Sequence, residues 1–296
     1  MSFVDANKDR FGVEPICQTL EIAPSTYYSA RSRPPSQRSL DDAVLSDEIL
    51  RVWKENYQVY GARKVWLQLN REGVACGRDR VERLMKCLLI GGARRGKKTK
   101  TTLRDAATSP CLPDLVNRSF VADRPNQLWV ADLTYVPTHI GFVYVAFVID
   151  VYSRSIVGWA LASHLRTELP LAALDMAVFL RDERLGELVH HSDRGSQYTS
   201  IRYTERLDQF DVRPSVGSRG DSYDNALAET TIGLYKTELI AGRSWVGPQH
   251  LERETLAYVD WYNHRRLHGA CEDAPPAEFE AAYYRNRDAS GVPESQ

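Results

Sequence analysis

The sequence predicts an α/β protein, a mixed sheet flanked by helices, preceded by small all-α units. Three observations predict it. From about residue 122 the chain reads as β-rich runs at 127–137, 142–151 and 155–163 joined by short turns, the pattern of an antiparallel meander. Beyond them helical and short strand-like stretches alternate, the order of a mixed sheet covered by helices. Before residue 90, apolar residues recur instead at helical spacing.

The amino-terminal segment 12–30 holds two short helical patterns and a turn. Ile16 and Leu20 are spaced i, i+4, and Ser25 is placed to cap a second helix carrying Tyr27 and Tyr28. This predicts a first helix-turn-helix over 1–35, closed by the polar, Pro-containing stretch Arg31 to Pro35. A second helical pair from about 41 to 89 predicts another such unit over 40–90, with Val81, Leu84, Met85 and Leu88 giving the helical period. Arg80, Arg83 and Lys86 face outward on the same helix, where they either lie on a phosphate backbone or form a solvated face. Residues 91–121 read as a linker. Its segment Gly91–Lys100 packs five positive charges between glycines, among them Arg94, Arg95, Lys97 and Lys98. Such a segment tracks phosphates or acts as a soluble connector.

The sheet unit is predicted over 122–286. Its first three strands turn at Thr138-His139-Ile140-Gly141 and at Tyr152-Ser153-Arg154. A helix over 167–183 follows, with Leu171, Leu174 and Val178 on one face. Next come a strand over 187–192, a helix over 199–209, a strand over 212–216 and a helix holding Glu229. A last helix, 249–267, carries Trp261 and the basic pair Arg265-Arg266. Residues 287–296 read as a flexible tail.

Composition narrows the function classes. The chain has 296 residues, 43% hydrophobic and 26% charged, ordinary for a globular protein. No apolar run approaches the roughly 20 residues needed to span a bilayer, and the first residues lack a signal-peptide core, so a cytoplasmic protein is expected. The five cysteines are odd in number with no C-x-x-C pair, which reads as reduced thiols without a zinc site. The net charge of −1 hides an asymmetry. Residues 1–120 hold 21 Lys and Arg against 14 Asp and Glu, and the remainder 17 against 25. A basic front and an acidic back fit a DNA-gripping region joined to a carboxylate-rich site, or simply an uneven surface.

Three carboxylates stand out by context. Asp132 lies within the strand Leu128–Val136, sharing a face with Val130, Thr134 and Val136. A charge there costs several kcal/mol, roughly, unless paired or metal-bound. Asp193 follows Val189-His190-His191-Ser192 where a strand meets the turn Arg194-Gly195-Ser196. Glu229 falls early in a helix that Asp224 or Ser222 is placed to cap, and thirty-five residues separate it from Asp193. Two Asp and one Glu can form an all-oxygen site for Mg²⁺. Asp150 reads as structural, with Ser153-Arg154 beside it. His190 and His191 read as strand-end residues, because no Cys or His pair completes a zinc set.

The segments Trp129-Val130-Ala131-Asp132-Leu133-Thr134-Tyr135, His191-Ser192-Asp193-Arg194-Gly195-Ser196-Gln197-Tyr198 and Asp224-Asn225-Ala226-Leu227-Ala228-Glu229 closely resemble the three acidic motifs of the D,D(35)E integrase cores. The subtype resembles the transposase encoded by the second reading frame of a widespread bacterial insertion-sequence family, distantly related to retroviral integrases. Tyr60-Gly61-Ala62-Arg63-Lys64-Val65 resembles the family's second helix-turn-helix, and Tyr262–His268 the segment after the catalytic helix. Thr230 and Thr231 depart from the more usual aromatic or small residues, and Cys271 stands where Leu is more usual.

The resemblance implies an RNase H-like fold and a DDE transposase that cuts and joins DNA. It implies two Mg²⁺ ions, with Mn²⁺ as substitute, Asp132 bridging both, Asp193 holding one and Glu229 the other. Water first frees a 3′ hydroxyl at the element's end, and that hydroxyl attacks target DNA. Lys236, seven positions past Glu229, points to the same side, where it either lies over a DNA phosphate or is a surface Lys paired with Glu229 or Glu238. Expected partners are double-stranded DNA, as element ends and as target, further copies of the chain on that DNA, and a fusion or partner from an upstream reading frame. The expected place of work is the bacterial nucleoid. Two other classes stay open: an RNase H-like nuclease that cuts without joining, and a DNA-binding regulator with an inactive core.

Overall fold

The computed structural model describes residues 2–94, 96, 114, 116, 120–181, 185, 187–193, 197–217 and 225–290. The chain begins with three short helices: α1 (Ser2–Phe11), α2 (Val13–Thr19) and α3 (Pro24–Ser32). Val4, Ile16, Cys17 and Tyr27 form their small core. The cap expected at Ser25 lies elsewhere. Ala23 is the N-cap, and Pro24 takes the first helical position, which suits its fixed φ and missing N–H. Leu20, expected on the apolar face, is 43% exposed at the end of α2.

Three helices, not the expected pair, make the next unit: α4 (Gln37–Glu55), α5 (Ala62–Arg71) and α6 (Arg78–Cys87). Ser36 caps α4 by accepting from Ser39 N. Leu45, Ile49, Val52, Val65, Leu69, Val81, Leu84 and Met85 fill the space between them. The glycines after α6 do not begin a free linker. Trp53 donates from Nε1 to Gly91 O at 2.9 Å, and Ala93 N donates to Val59 O at 3.1 Å. A Cβ on Gly92 would lie 2.7 Å from Gly61 N, so this close approach admits only glycine.

The sheet has five strands: β1 (Leu128–Thr138), β2 (Gly141–Asp150), β3 (Ile156–Ala162), β4 (Val189–Ser192) and β5 (Arg213–Val216). Their order is β3-β2-β1-β4-β5. The first three form the expected antiparallel meander, and β4 and β5 run parallel to β1. Alternation along β1 sorts its side chains. Trp129 and Ala131 face a core shared with α7 (Glu168–Arg181) and α8 (Ile201–Gln209), while Val130 and Val136 face the other side. Gly158 permits the close packing of α7, since a Cβ there would lie 2.1 Å from Ala173 O.

Covering the other face are α9 (Ala226–Tyr235), which continues into a π-helical turn over Lys236–Ile240, and α10 (Pro248–His264). A single-turn π segment of this kind often marks a functional site. A last helix, α11 (Pro276–Ser290), extends past the expected core boundary at residue 286 into the expected tail.

The α4–α6 unit shares one hydrophobic core with this side of the sheet. Tyr57 meets Trp261 and Tyr258 ring to ring. Trp261 Nε1 donates to Asn56 Oδ1 at 3.0 Å, and Leu267 N donates to Tyr60 OH at 2.8 Å. Arg63 pairs with Asp273 and Arg71 with Glu278. The helical unit is therefore mounted on α10 and α11 rather than hung from a connector. No described helix is long and apolar enough to cross a membrane.

Candidate active site

The sheet brings Asp132 and Asp193 to adjacent strand positions. Parallel pairing of β1 with β4 ends at Ala131 opposite Ser192, and each Asp is the next residue. Neighbouring strands are about 4.8 Å apart. The third carboxylate arrives from α9. Asn225, the N-cap of that helix, donates from Nδ2 to Ala131 O at 2.9 Å. Its own carbonyl accepts from Glu229 N at 3.0 Å. One residue thus ties the first turn of α9, where Glu229 sits, to the backbone just before Asp132. The capping expected from Ser222 or Asp224 lies outside the described residues, and the cap position itself belongs to Asn225.

The electrostatics follow from this neighbourhood. The Asp132 carboxyl is pushed up to about 8, first by burial, then by the negative charge of Asp193, with Glu229 adding to it. The Leu133 N–H, which donates to Asp132 Oδ1 at 2.7 Å, and Lys236 act in the opposite direction. Asp132 is half-buried, whereas Asp193 and Glu229 are exposed. A half-buried Asp132 beside the like charges of Asp193 and Glu229 matches a hard divalent cation in donor type and in charge. As placed, no three His, Cys, Asp or Glu side chains among the described residues converge tightly enough to hold one ion. The set fits in chemistry and neighbourhood, and enclosing an ion requires the carboxylates to draw closer.

Two further residues belong to this neighbourhood. Tyr198, buried behind the site, feels both Asp132 and Asp193, and burial pushes its phenol up. Its hydroxyl has no partner among the described residues. The ammonium of Lys236 lies 5.2 Å from the centroid of the Tyr135 ring and is coupled to Asp132. Sequence reasoning assigned no role to Tyr198, Tyr135 or Asn225. All three lie in the quoted motifs, but nothing in a linear motif says which residue reaches across to another strand.

The other named residues are placed as follows. Asp150 is buried, accepting from Asn126 N and Ser153 N, both at 2.7 Å, and from Ser153 Oγ at 3.0 Å. It is a turn-holding residue, as expected. His190 is buried and held neutral, pushed down to about 3 by burial, with Tyr203 OH at 3.1 Å from Nε2. His191 meets Ser215 Oγ at 2.9 Å. On α6, Arg80 and Arg83 both pair with Asp42 of α4 at 2.7 Å, and Lys86 pairs with Glu82 at 2.8 Å. They remain partly exposed, so any phosphate must compete with Asp42. Arg94 is exposed. Arg95, Lys97 and Lys98 lie outside the described residues. Of the basic pair after α10, Arg265 pairs with Asp260 at 3.1 Å, while Arg266 is buried against Glu238 at 2.6 Å.

Sequence similarity identifies the family. Residues 122–222 and 210–276 match the family described as "Integrase core domain", and residues 39–98 match "HTH-like domain". A Mycobacterium tuberculosis protein named for the transposase of insertion sequence element IS986/IS6110 is 54% identical over 92% of this chain and all of its own length. The transposase for insertion sequence element IS629 of Shigella sonnei is 50% identical over 96% of each chain. Among solved structures, the catalytic core domain of the HTLV-2 integrase with magnesium matches at a TM-score of 0.42 and 14% identity. That match covers 54% of this chain and 99% of that one.

Proposed function

The chain belongs to the insertion-sequence transposases that carry an integrase core domain, and from that premise we propose that Asp132, Asp193 and Glu229 are its metal-holding triad. It is an enzyme of DNA transposition, a polynucleotidyl transferase with an HTH-like unit for DNA, and an integrase-type core works with a divalent metal. The proposed ion is Mg²⁺, two per site, with Mn²⁺ as substitute. The observation that carries the reading is geometric: Asp132 and Asp193 directly follow the paired residues Ala131 and Ser192, and Asn225 ties the first turn of α9, which holds Glu229, to Ala131 O.

Bound there, divalent ions would activate the attacking oxygen and stabilise the leaving one. The chain's own contribution is placement. Asp132 is held in the β1 ladder, Asp193 by the end of β4, and Glu229 by the Asn225 tie. The same fixed set serves cutting and joining, because only the nucleophile changes between water and a DNA 3′ hydroxyl. An element has two ends, so the reading extends to a homo-oligomer on DNA at the nucleoid. The family resemblance adds a partner or fusion from an upstream reading frame.

The test is strand transfer by the full chain on duplexes taken from the DNA flanking its gene. Joined product with Mg²⁺ or Mn²⁺, and none with EDTA, is expected. Nicking without joining would favour a nuclease. Neither product with any metal would favour a DNA-binding regulator with an inactive core.

Lys236 supplies a second expectation. It is exposed, on the same side as Asp132, and ends α9 two turns past Glu229. A point charge there suits the phosphate beside the reacting one. Lys236→Ala is expected to weaken duplex binding and to flatten its salt dependence by about one phosphate contact. Affinity measured at several salt concentrations checks this. An unchanged slope with unchanged strand transfer would remove Lys236 from the DNA path.

A further inference from the structure

Past Ala131 the strand β1 loses its parallel neighbour and pairs only with β2 as far as Thr138. Among the described residues that edge of β1 is unpaired past Ala131, and an aromatic group stands toward its far end. Tyr135 is 43% exposed and Phe142 is 55% exposed. Their centroids are 5.3 Å apart at 85°, edge to face, a preferred aromatic geometry. From the other element Lys236 sets its ammonium 5.2 Å from the Tyr135 centroid. An exposed tyrosine braced by a second ring and a cation is preorganised to stack on a flat partner. Aromatic faces paired with cations are how proteins hold unpaired nucleotides: the ring stacks on a base and the cation meets the phosphate. Tyr135 is three residues from Asp132, about 10 Å along the strand and, by alternation, on the opposite face of the sheet; Lys236, which meets the Tyr135 ring and also acts on Asp132, links the two. That distance is about three nucleotide rises.

We propose that Tyr135, braced by Phe142 and Lys236, is a stacking site for an unpaired base within about three nucleotides of the reacting phosphodiester. The proposal rests on the reading of Asp132 as a residue of the reacting centre. A base inside a duplex has both faces covered, so the ring selects a base at a strand end or one splayed from its partner. Cleavage creates such an end, because the terminal nucleotide loses its covalent neighbour and one stacking partner. Tyr135 then takes that neighbour's place and holds the 3′ terminus near the carboxylates. Lys236 bridges ring and phosphate.

The test uses the full chain in EDTA, so that no chemistry occurs. The probe is a short single strand with 2-aminopurine at its 3′ end, compared with the same strand in a blunt duplex. The wild type is expected to quench the single-strand probe. Tyr135→Ala is expected to bind that probe about ten-fold more weakly and to lose the quench, while duplex binding is unchanged. Tyr135→Trp is expected to retain both affinity and quench. If the alanine variant does not fold, Tyr135→Thr, a good strand former, gives the same comparison. Equal loss on both probes, or no loss on either, overturns the proposal. Failure of the metal-triad reading is seen separately, as strand transfer surviving in Asp132→Asn.

Discussion

Asp132→Asn, Asp193→Asn and Glu229→Gln are each expected to lower strand transfer by at least about a thousand-fold. The three acids act as one set: each supplies oxygens the others cannot replace from their own strands and helix. The amide variants keep side-chain size, and Asn225 still ties α9 to β1, so the fold is retained. Asp132→Asn removes a half-buried carboxylate crowded by two like charges. Without metal it should therefore melt at or above the wild-type temperature, the usual trade between stability and activity at a strained site. Strand transfer, thermal melting and duplex affinity measured on all three variants check this. One variant with near-normal strand transfer and normal melting would take its residue out of the triad.

Much of this was legible beforehand, for physical reasons. The strands of the sheet unit lie within a few residues of their expected bounds, because period-2 alternation and turn residues at Thr138–Gly141 and Tyr152–Arg154 leave little choice of register. Asp132 was legible as an ionisable group inside an apolar strand, and Asp193 as a strand-end acid. What escaped the sequence depends on distant partners. Arg80 and Arg83 face outward on α6, but periodicity does not show that Asp42 of α4 lies opposite them. The pair Arg265-Arg266 reads as a basic patch, yet only Arg265 is at the surface, because the turn after α10 aims Arg266 inward at Glu238. Ser25 is a sound capping residue in isolation, and the neighbouring Pro24 moved the cap two residues earlier, to Ala23. The linker reading failed at Gly91–Ala93 because a glycine signals flexibility and close contact equally.

The buried Arg266–Glu238 pair carries the other large effect. Arg266 donates from Nε to Glu238 Oε2 at 2.8 Å and from Nη2 to Oε1 at 2.6 Å, a two-point clasp. Tyr258 OH donates to the same carboxylate at 3.0 Å, and Arg266 Nη1 lies 3.2 Å from His268 Nδ1. The clasp joins the π-helical turn after α9 to the segment after α10. That segment, through Leu267 N and Tyr60 OH, meets the HTH-like unit. Arg266→Met therefore leaves Glu238 buried without its cation, at a cost of about 3–5 kcal/mol. In a chain of this size that lowers the melting temperature by about 10 °C. The double variant Glu238→Gln with Arg266→Met is expected to recover more than half of the loss, since Gln carries no charge and still accepts from Tyr258. Thermal melting of the wild type and the two variants under identical salt checks both statements. Recovery distinguishes an uncompensated charge from lost packing: if the double variant melts no higher than Arg266→Met alone, the arginine stabilises through its guanidinium packed over the Trp261 and Tyr262 rings, and the ion pair adds nothing to stability.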